Sequence, residues 1–282
     1  MLLRYVDAQL AFGSRAPGGT GHQRAGEWLD SMLRSRADTV ILDDWTHVTS
    51  HGDALQLRNV LARFNPSADR RILYVAHWDT RPRADGRHST DTTVAVPGAN
   101  DGASGVALLL GVADALRAKP STLGVDLLFA DGEDFGSFDD STETLLGSRR
   151  YARQIEASRR PAFAIVWDMV GDRDQDFVQE GFSLTAAPDL VQYVWTLAGN
   201  LGYGSRFLDK AGAALVDDHV PLQRAGIRAI DVIDLDYGPD NAWHHSPMDT
   251  RERLSSESLA IATHVATALI RQSERDKDLA LP

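Results

Sequence analysis

Arg71-Ile72-Leu73-Tyr74-Val75-Ala76 runs without a polar break after its arginine and stops at His77-Trp78-Asp79-Thr80-Arg81-Pro82. A short run that is apolar on both faces suits a strand of a parallel sheet covered on both sides. Two later runs repeat the form: Val125–Ala130 stops at Asp131-Gly132-Glu133-Asp134, and Ala162–Trp167 stops at Asp168. A fourth, Ile227–Ile233, feeds a loop from Asp234 to Thr250 that carries Trp243-His244-His245. Helical patterns alternate with them, over Gly102–Arg117, Leu145–Ile155, Leu190–Leu201, His219–Ala225 and Leu254–Ile270. Buried strands alternating with helices give an α/β domain with a mostly parallel central sheet.

Working outward, His22–Arg34 places Trp28, Leu29, Met32 and Leu33 at helical spacing. Thr39–Leu42 and Ala54–Phe64 have strand-type composition. Pro17 and Gly18-Gly19 predict an irregular segment over residues 1–21, and the polar stretch from Arg271 to Pro282 is expected to fray. No repeat, low-complexity segment or dividing linker is present, which predicts a single domain over residues 1–282.

The chain has 282 residues, enough for a sizeable core. Its 29 Lys and Arg against 40 Asp and Glu leave a formal net charge of −11, which argues against nucleic acid as a partner. With no cysteine, thiolate metal sites, a cysteine nucleophile and disulfides are excluded. No apolar run approaches the roughly 20 residues of a membrane span, and the first residues are too short and polar for a signal peptide. No Gly-x-Ser-x-Gly elbow supports a serine hydrolase.

The chemistry gathers at the strand ends. Pro97-Gly98-Ala99-Asn100-Asp101-Gly102-Ala103-Ser104-Gly105 sets one carboxylate among small residues at the entry to a helix. Asp101 there is either a metal ligand or, with Asn100, a helix cap. In open parallel sheets ligands bind beyond the carboxyl ends of the strands, so His77, Asp134 and Asp168 would meet there, joined by His245 from the facing loop. Two histidines and three carboxylates suit Zn²⁺. Each alone has a plainer role: a core histidine, a turn residue, a loop residue. Asp79, two residues beyond His77, can accept the second imidazole N–H. Glu133 and Asp134 are neighbours that point apart, so one can bind metal while the other serves as a general base.

These residues resemble the zinc aminopeptidase-like family (peptidase family M28), which includes bacterial leucyl aminopeptidases and the animal-type glutaminyl cyclases. The resemblance runs through His77-Trp78-Asp79, Gly98-Ala99-Asn100-Asp101, Gly132-Glu133-Asp134, Leu146-Gly147-Ser148-Arg149, Asp168-Met169-Val170-Gly171, Asp217-Asp218-His219 and His245-Ser246-Pro247-Met248-Asp249-Thr250. It implies a three-layer α/β/α fold with a mixed, mostly parallel sheet. It also implies two metal positions, one held by Asp101, Asp134 and His245, the other by Asp101, His77 and Asp168, with Glu133 as general base. Asp134 departs from the second glutamate usual in the aminopeptidases. His244 rivals His245, which is preferred because the family's His-Ser/Thr-x-x-Asp pattern runs from it to Asp249.

The family divides between hydrolysis, with two zinc ions, and cyclisation of N-terminal glutamine, with one. Asp217-Asp218-His219-Val220-Pro221 and Glu180-Gly181-Phe182-Ser183 resemble the cyclases. By that resemblance Asp217 lies near the substrate amine, and Trp243 is either a wall for the glutamine side chain or a packed loop aromatic. The stretch Phe135-Gly136-Ser137-Phe138-Asp139-Asp140 lacks a tryptophan that animal cyclases carry, and the His245–Thr250 ending is nearer the peptidases. The expectation is therefore a zinc-dependent glutaminyl-peptide cyclotransferase acting on peptide or protein N-termini. The alternatives are a zinc aminopeptidase or a non-catalytic binding module on the same scaffold. Resemblance also implies a periplasmic or secreted location; the sequence leaves the oligomeric state open.

Overall fold

The computed structural model describes residues 1–138 and 142–276. In chain order its elements are α1 (Leu2–Leu10), α2 (Thr20–Arg34), β1 (Thr39–Val48), β2 (Ala54–Phe64), β3 (Arg71–His77), α3 (Ala103–Ala118), β4 (Gly124–Ala130), α4 (Leu146–Gln154), β5 (Ala164–Asp168), β6 (Phe177–Gln179), α5 (Gly181–Ala186), α6 (Pro188–Asn200), β7 (Phe207–Ala211), α7 (His219–Arg224), β8 (Ala229–Ile233) and α8 (Ser256–Ser273). Six strands form one sheet in the order β1-β2-β4-β3-β5-β8. The four apolar runs are its parallel part, and β1 and β2 add to one side as antiparallel strands. The sheet is mixed and mostly parallel.

Alternation along β3 shows how the layers form. Ile72, Tyr74 and Ala76 join the cluster that includes Val106, Leu109, Leu110, Leu259 and Ala266 of α3 and α8. The Tyr74 hydroxyl donates to the Ala266 carbonyl at 2.8 Å. Leu73 and Val75 face the other way, into a cluster with Leu128, Val166, Tyr151 of α4 and Leu222 of α7. Helices thus cover both faces, as buried parallel strands require. Because α3 is buried almost all round, Leu109→Ala leaves a cavity that the packed layers cannot close. It should cost about 2–5 kcal/mol of stability, read by chemical denaturation.

Register decides where the strands end. His77 lies opposite Ala130 at the ends of β3 and β4, and Asp168 lies opposite Ile233 at the ends of β5 and β8. The neighbouring parallel strands therefore finish along one edge.

Three expectations need correction. Residues 2–10 are not irregular but form α1: Leu2, Leu3, Val6 and Leu10 make an apolar face packed on the main core, and the Gln9 amide donates to the Ala103 carbonyl. The break from Pro17, Gly18 and Gly19 acts only between α1 and α2. Strand β1 continues from Leu42 to Val48, because pairing with β2 holds its polar half. The short pair β6 and β7, and α5 directly after β6, escaped the periodicity reading. Three to six residues carry too little pattern, and the pair is held by the Phe177 and Phe207 rings, 4.7 Å apart. Of the polar tail, Arg271–Ser273 continue α8; residues 277–282, like Asp139 and Asp140, lie outside the described residues. No helix is long and apolar enough to cross a membrane among the described residues.

Candidate metal centre

Asp101 does not cap α3. The cap position is Gly102, without a side-chain hydrogen bond, and the Asp101 carboxylate turns to the sheet edge. Its Oδ1 lies 3.0 Å from His77 Nε2, and His77 Nε2 lies 3.2 Å from Asp168 Oδ1. Its Oδ2 lies 3.4 Å from His245 Nε2, which in turn is 3.0 Å from Asp134 Oδ1. One carboxylate therefore faces two donor groups with different oxygens. Donors on a tetrahedral zinc ion, with bonds of about 2.0–2.1 Å, stand about 3.3 Å apart, close to these four contacts; donor atoms of His77, Asp101 and Asp168 all lie within 4.8 Å of one another, as do those of Asp101, His244 and His245.

The donors are unsatisfied by one another. His77 Nε2, Asp101 Oδ2 and Asp134 Oδ2 are buried and make no hydrogen bond. Buried polar atoms are nearly always paired. Atoms so buried and so directed fit a cation. Electrostatics agrees. Burial alone lowers the His245 pKa, but the carboxylates of Asp134, Asp85 and Asp101 overturn this and raise it to about 10. The donor set attracts positive charge strongly enough to hold protons, which a metal ion would displace.

A surrounding set of contacts fixes these side chains. Asp79 Oδ1 lies 3.5 Å from His77 Nδ1. Its two oxygens also accept from the backbone N–H groups of Glu133 and Asp134, each at 3.2 Å, so Asp79 ties the end of β3 to the loop after β4. Arg81 donates to the carbonyls of Asp134 and Gly136 and grips Asp85, while Asp85 meets His245 Nδ1 at 3.5 Å. Asp249 accepts from the backbone N–H groups of Asn100 and Asp101 at 2.8 and 3.2 Å and from the Tyr237 hydroxyl at 2.7 Å. The guanidinium of Arg15, fully buried, donates to the carbonyls of Trp78, Pro97 and Gly98. Sequence reasoning missed Arg15, Asp85 and Tyr237. Only Asp249 carried a signal, as the end of the His245–Asp249 pattern.

Glu133 and Asp134 do point apart. Asp134 faces His245, and Glu133 Oε2 lies 3.8 Å from His77 Nδ1. Burial, with Asp134, Asp217 and Asp218 close by, pushes the Glu133 pKa well up against the pull of His77. Asp217 is buried at the entry to α7, where its carboxylate accepts from the Asp218 N–H. Trp243 packs edge-on to Tyr237, with the Arg253 guanidinium 4.1 Å from its ring centre. His244 stacks on His245 and points at Asp101 Oδ2 from 3.8 Å.

Asp234, at the end of β8, is buried and accepts from the Asp176 N–H. Burial and Asp172 push its pKa up to about 8. An unfolded carboxyl titrates near 3.9. Between about pH 4 and 8 the folded chain keeps a proton that the unfolded chain has released, so stability falls as pH rises through that window. Asp234→Asn removes this dependence. It should melt a few degrees above the parent at pH 9, with a smaller gap at pH 5; an equal gap at both values would contradict the assignment.

Fold and donors together define an α/β protein with a buried histidine–carboxylate centre for a borderline cation, built where parallel strands end. Residues 59–270 match the model of Peptidase family M28, and the chain belongs to that family. Its structure aligns with a glutaminyl cyclase from Porphyromonas gingivalis at a TM-score of 0.91 and 34% identity, over 96% of this chain and 97% of that one. A Zn-dependent exopeptidase from Parabacteroides distasonis aligns at 0.90 and 31% identity, over 95% and 96% of the two chains. Aminopeptidase YwaD of Bacillus subtilis is 26% identical over 86% of this chain; the match spans 49% of that protein, about half its length. Family membership implies an enzyme that uses zinc.

Proposed function

We propose that this chain is a zinc-dependent glutaminyl-peptide cyclotransferase, which converts an N-terminal glutamine to pyroglutamate with loss of ammonia. The observation that carries this reading is the group of buried carboxylates beside the donors. The charge of Asp217 is felt at Glu133, Asp168 and Asp231. Both activities need a base and acceptors for the substrate's free α-amine; in cyclisation that amine is itself the nucleophile, and acidic groups this close to Glu133 support that reading.

Asp101, Asp134 and His245 would hold zinc, which when bound polarises the glutamine side-chain carbonyl as a Lewis acid. Asp168 and Asp217 face the α-amine and orient its lone pair. Glu133 removes one proton from that nitrogen as it attacks the side-chain carbonyl carbon and forms the lactam C–N bond. Glu133 then gives the proton to the amide nitrogen, whose bond to carbon breaks, and ammonia leaves. Burial of Glu133 suits this exchange, because a raised pKa brings a carboxyl nearer the range where it both takes and returns a proton.

A zinc aminopeptidase is the second reading. It is supported by Asp101, whose two oxygens face two donor groups as a carboxylate bridging two ions would. There Glu133 would take its proton from water. Mass spectrometry of products from a Gln-initial and a Leu-initial peptide, with the zinc-loaded protein, separates the two. Loss of ammonia from the Gln peptide alone is expected. Release of free leucine would replace the cyclase with the peptidase, and no product from either peptide would overturn both.

A further inference from the structure

Leu146-Gly147-Ser148-Arg149 opens α4 and takes no part in the zinc chemistry. Its arginine borders a cavity of about 300 Å³ between α4 and α7, lined by Arg149, Ala152, Arg153, Pro221, Arg224 and Ala225. Half of that lining is arginine, and none of it is acidic. In a chain of net charge −11 such a patch runs against the character of the whole.

Arg153 and Arg224 each stand in the last turn of a helix, where a cation complements the final carbonyls. That accounts for them singly. It does not account for their meeting, nor for Arg149, which lies one turn before Arg153 on the same face of α4. Arg150 shows the ordinary alternative: its guanidinium is bound to Asp43 by two hydrogen bonds of 2.7 and 2.6 Å. Among the described residues, the guanidinium groups of Arg153 and Arg224 make no ion pair or hydrogen bond. The crowding is felt: burial lowers the Arg149 pKa, and Arg224 and Arg153 lower it further, against the pull of Asp218.

A cavity lined by one sign of charge concentrates the opposite ion. Guanidinium forks match the oxygens of a phosphate group two at a time, and a dianion with three acceptor oxygens serves three forks better than a single carboxylate does. Pockets for ligands run from about 300 to 1,000 Å³, so this one suits a small molecule. We infer that Arg149, Arg153 and Arg224 form a binding site for a phosphate dianion, free or as the monoester of a small molecule. The site is separate from the zinc centre, because Arg224 ends α7 whereas Asp217 stands before its start. The inference therefore holds or fails independently of the reaction proposed above.

Calorimetric titration of the zinc-loaded protein with inorganic phosphate, and separately with phosphoserine, tests it. Saturable binding of at least one probe with a Kd below about 1 mM is expected, and the tighter probe identifies the source of the phosphate group. Arg153→Gln and Arg224→Gln each remove a charged donor from an exposed helix end, so each should weaken binding at least about tenfold, with circular dichroism as in the parent. The two variants also separate this site from phosphate held at the zinc ion, which neither change would touch. Parent-like affinity in both variants would place the bound phosphate elsewhere and overturn the inference. Binding of neither probe in the millimolar range would overturn it as well.

Discussion

Glu133→Gln should lower turnover by about 10²- to 10⁴-fold and leave zinc content unchanged. The two side chains have nearly the same shape, so packing near His77 is retained. What is lost is the ability to accept a proton and return it. Glu133 is outside the donor groups, so zinc, measured by elemental analysis after dialysis, should stay at the parent level. Turnover within a few-fold of the parent would remove Glu133 from the proton path. Lost zinc would make it a ligand instead.

Asp101→Ala should have the opposite signature. Both donor groups share this carboxylate, so its removal leaves each group one oxygen short. Changes merely around metal sites weaken binding by about 10–100-fold; loss of a shared ligand should exceed about 100-fold. Dialysed protein should then retain only background zinc, with no measurable turnover. The fold should survive, because Asp249 grips the backbone N–H of residue 101 rather than its side chain. Zinc bound as in the parent, with circular dichroism unchanged, would refute the shared-ligand assignment.

The parallel half of the sheet was legible in the sequence because burial on both faces forces continuous apolar runs, as in Ile72–Ala76 and Val125–Ala130. The gathering of the candidate donors was legible for a linked reason: the same runs stop at charged residues, and parallel order brings those stops together. What the sequence hid depends on distance. Arg15 looks like one more polar residue in a loop until its bonds to residues 78, 97 and 98 are seen. Tyr237 gains meaning only from Asp249. The His244–His245 stack goes with a left-handed backbone at His245, φ 51°, that no local residue type announces; the His245 carbonyl accepts from the N–H of Gly86, far away in the chain. Helix α1 was missed for a simpler reason: nearby Pro and Gly outweighed a short apolar face that tertiary packing rescues.

The Asp249 clamp also bears on the order of synthesis. Asp249 follows Asp101 by 148 residues. While the chain emerges from the ribosome, His77, Asp101, Asp134 and Asp168 all precede the residues that finish the centre. Until those arrive, the N–H groups of Asn100 and Asp101 have no carboxylate to hold them, β8 is missing from the sheet edge, and no histidine faces Asp134. A nascent chain thus carries four donors without a closed cage. The group of Asp101, Asp134 and His245 is completed late in synthesis, whereas His77, Asp101 and Asp168 are all in place once residue 168 has emerged.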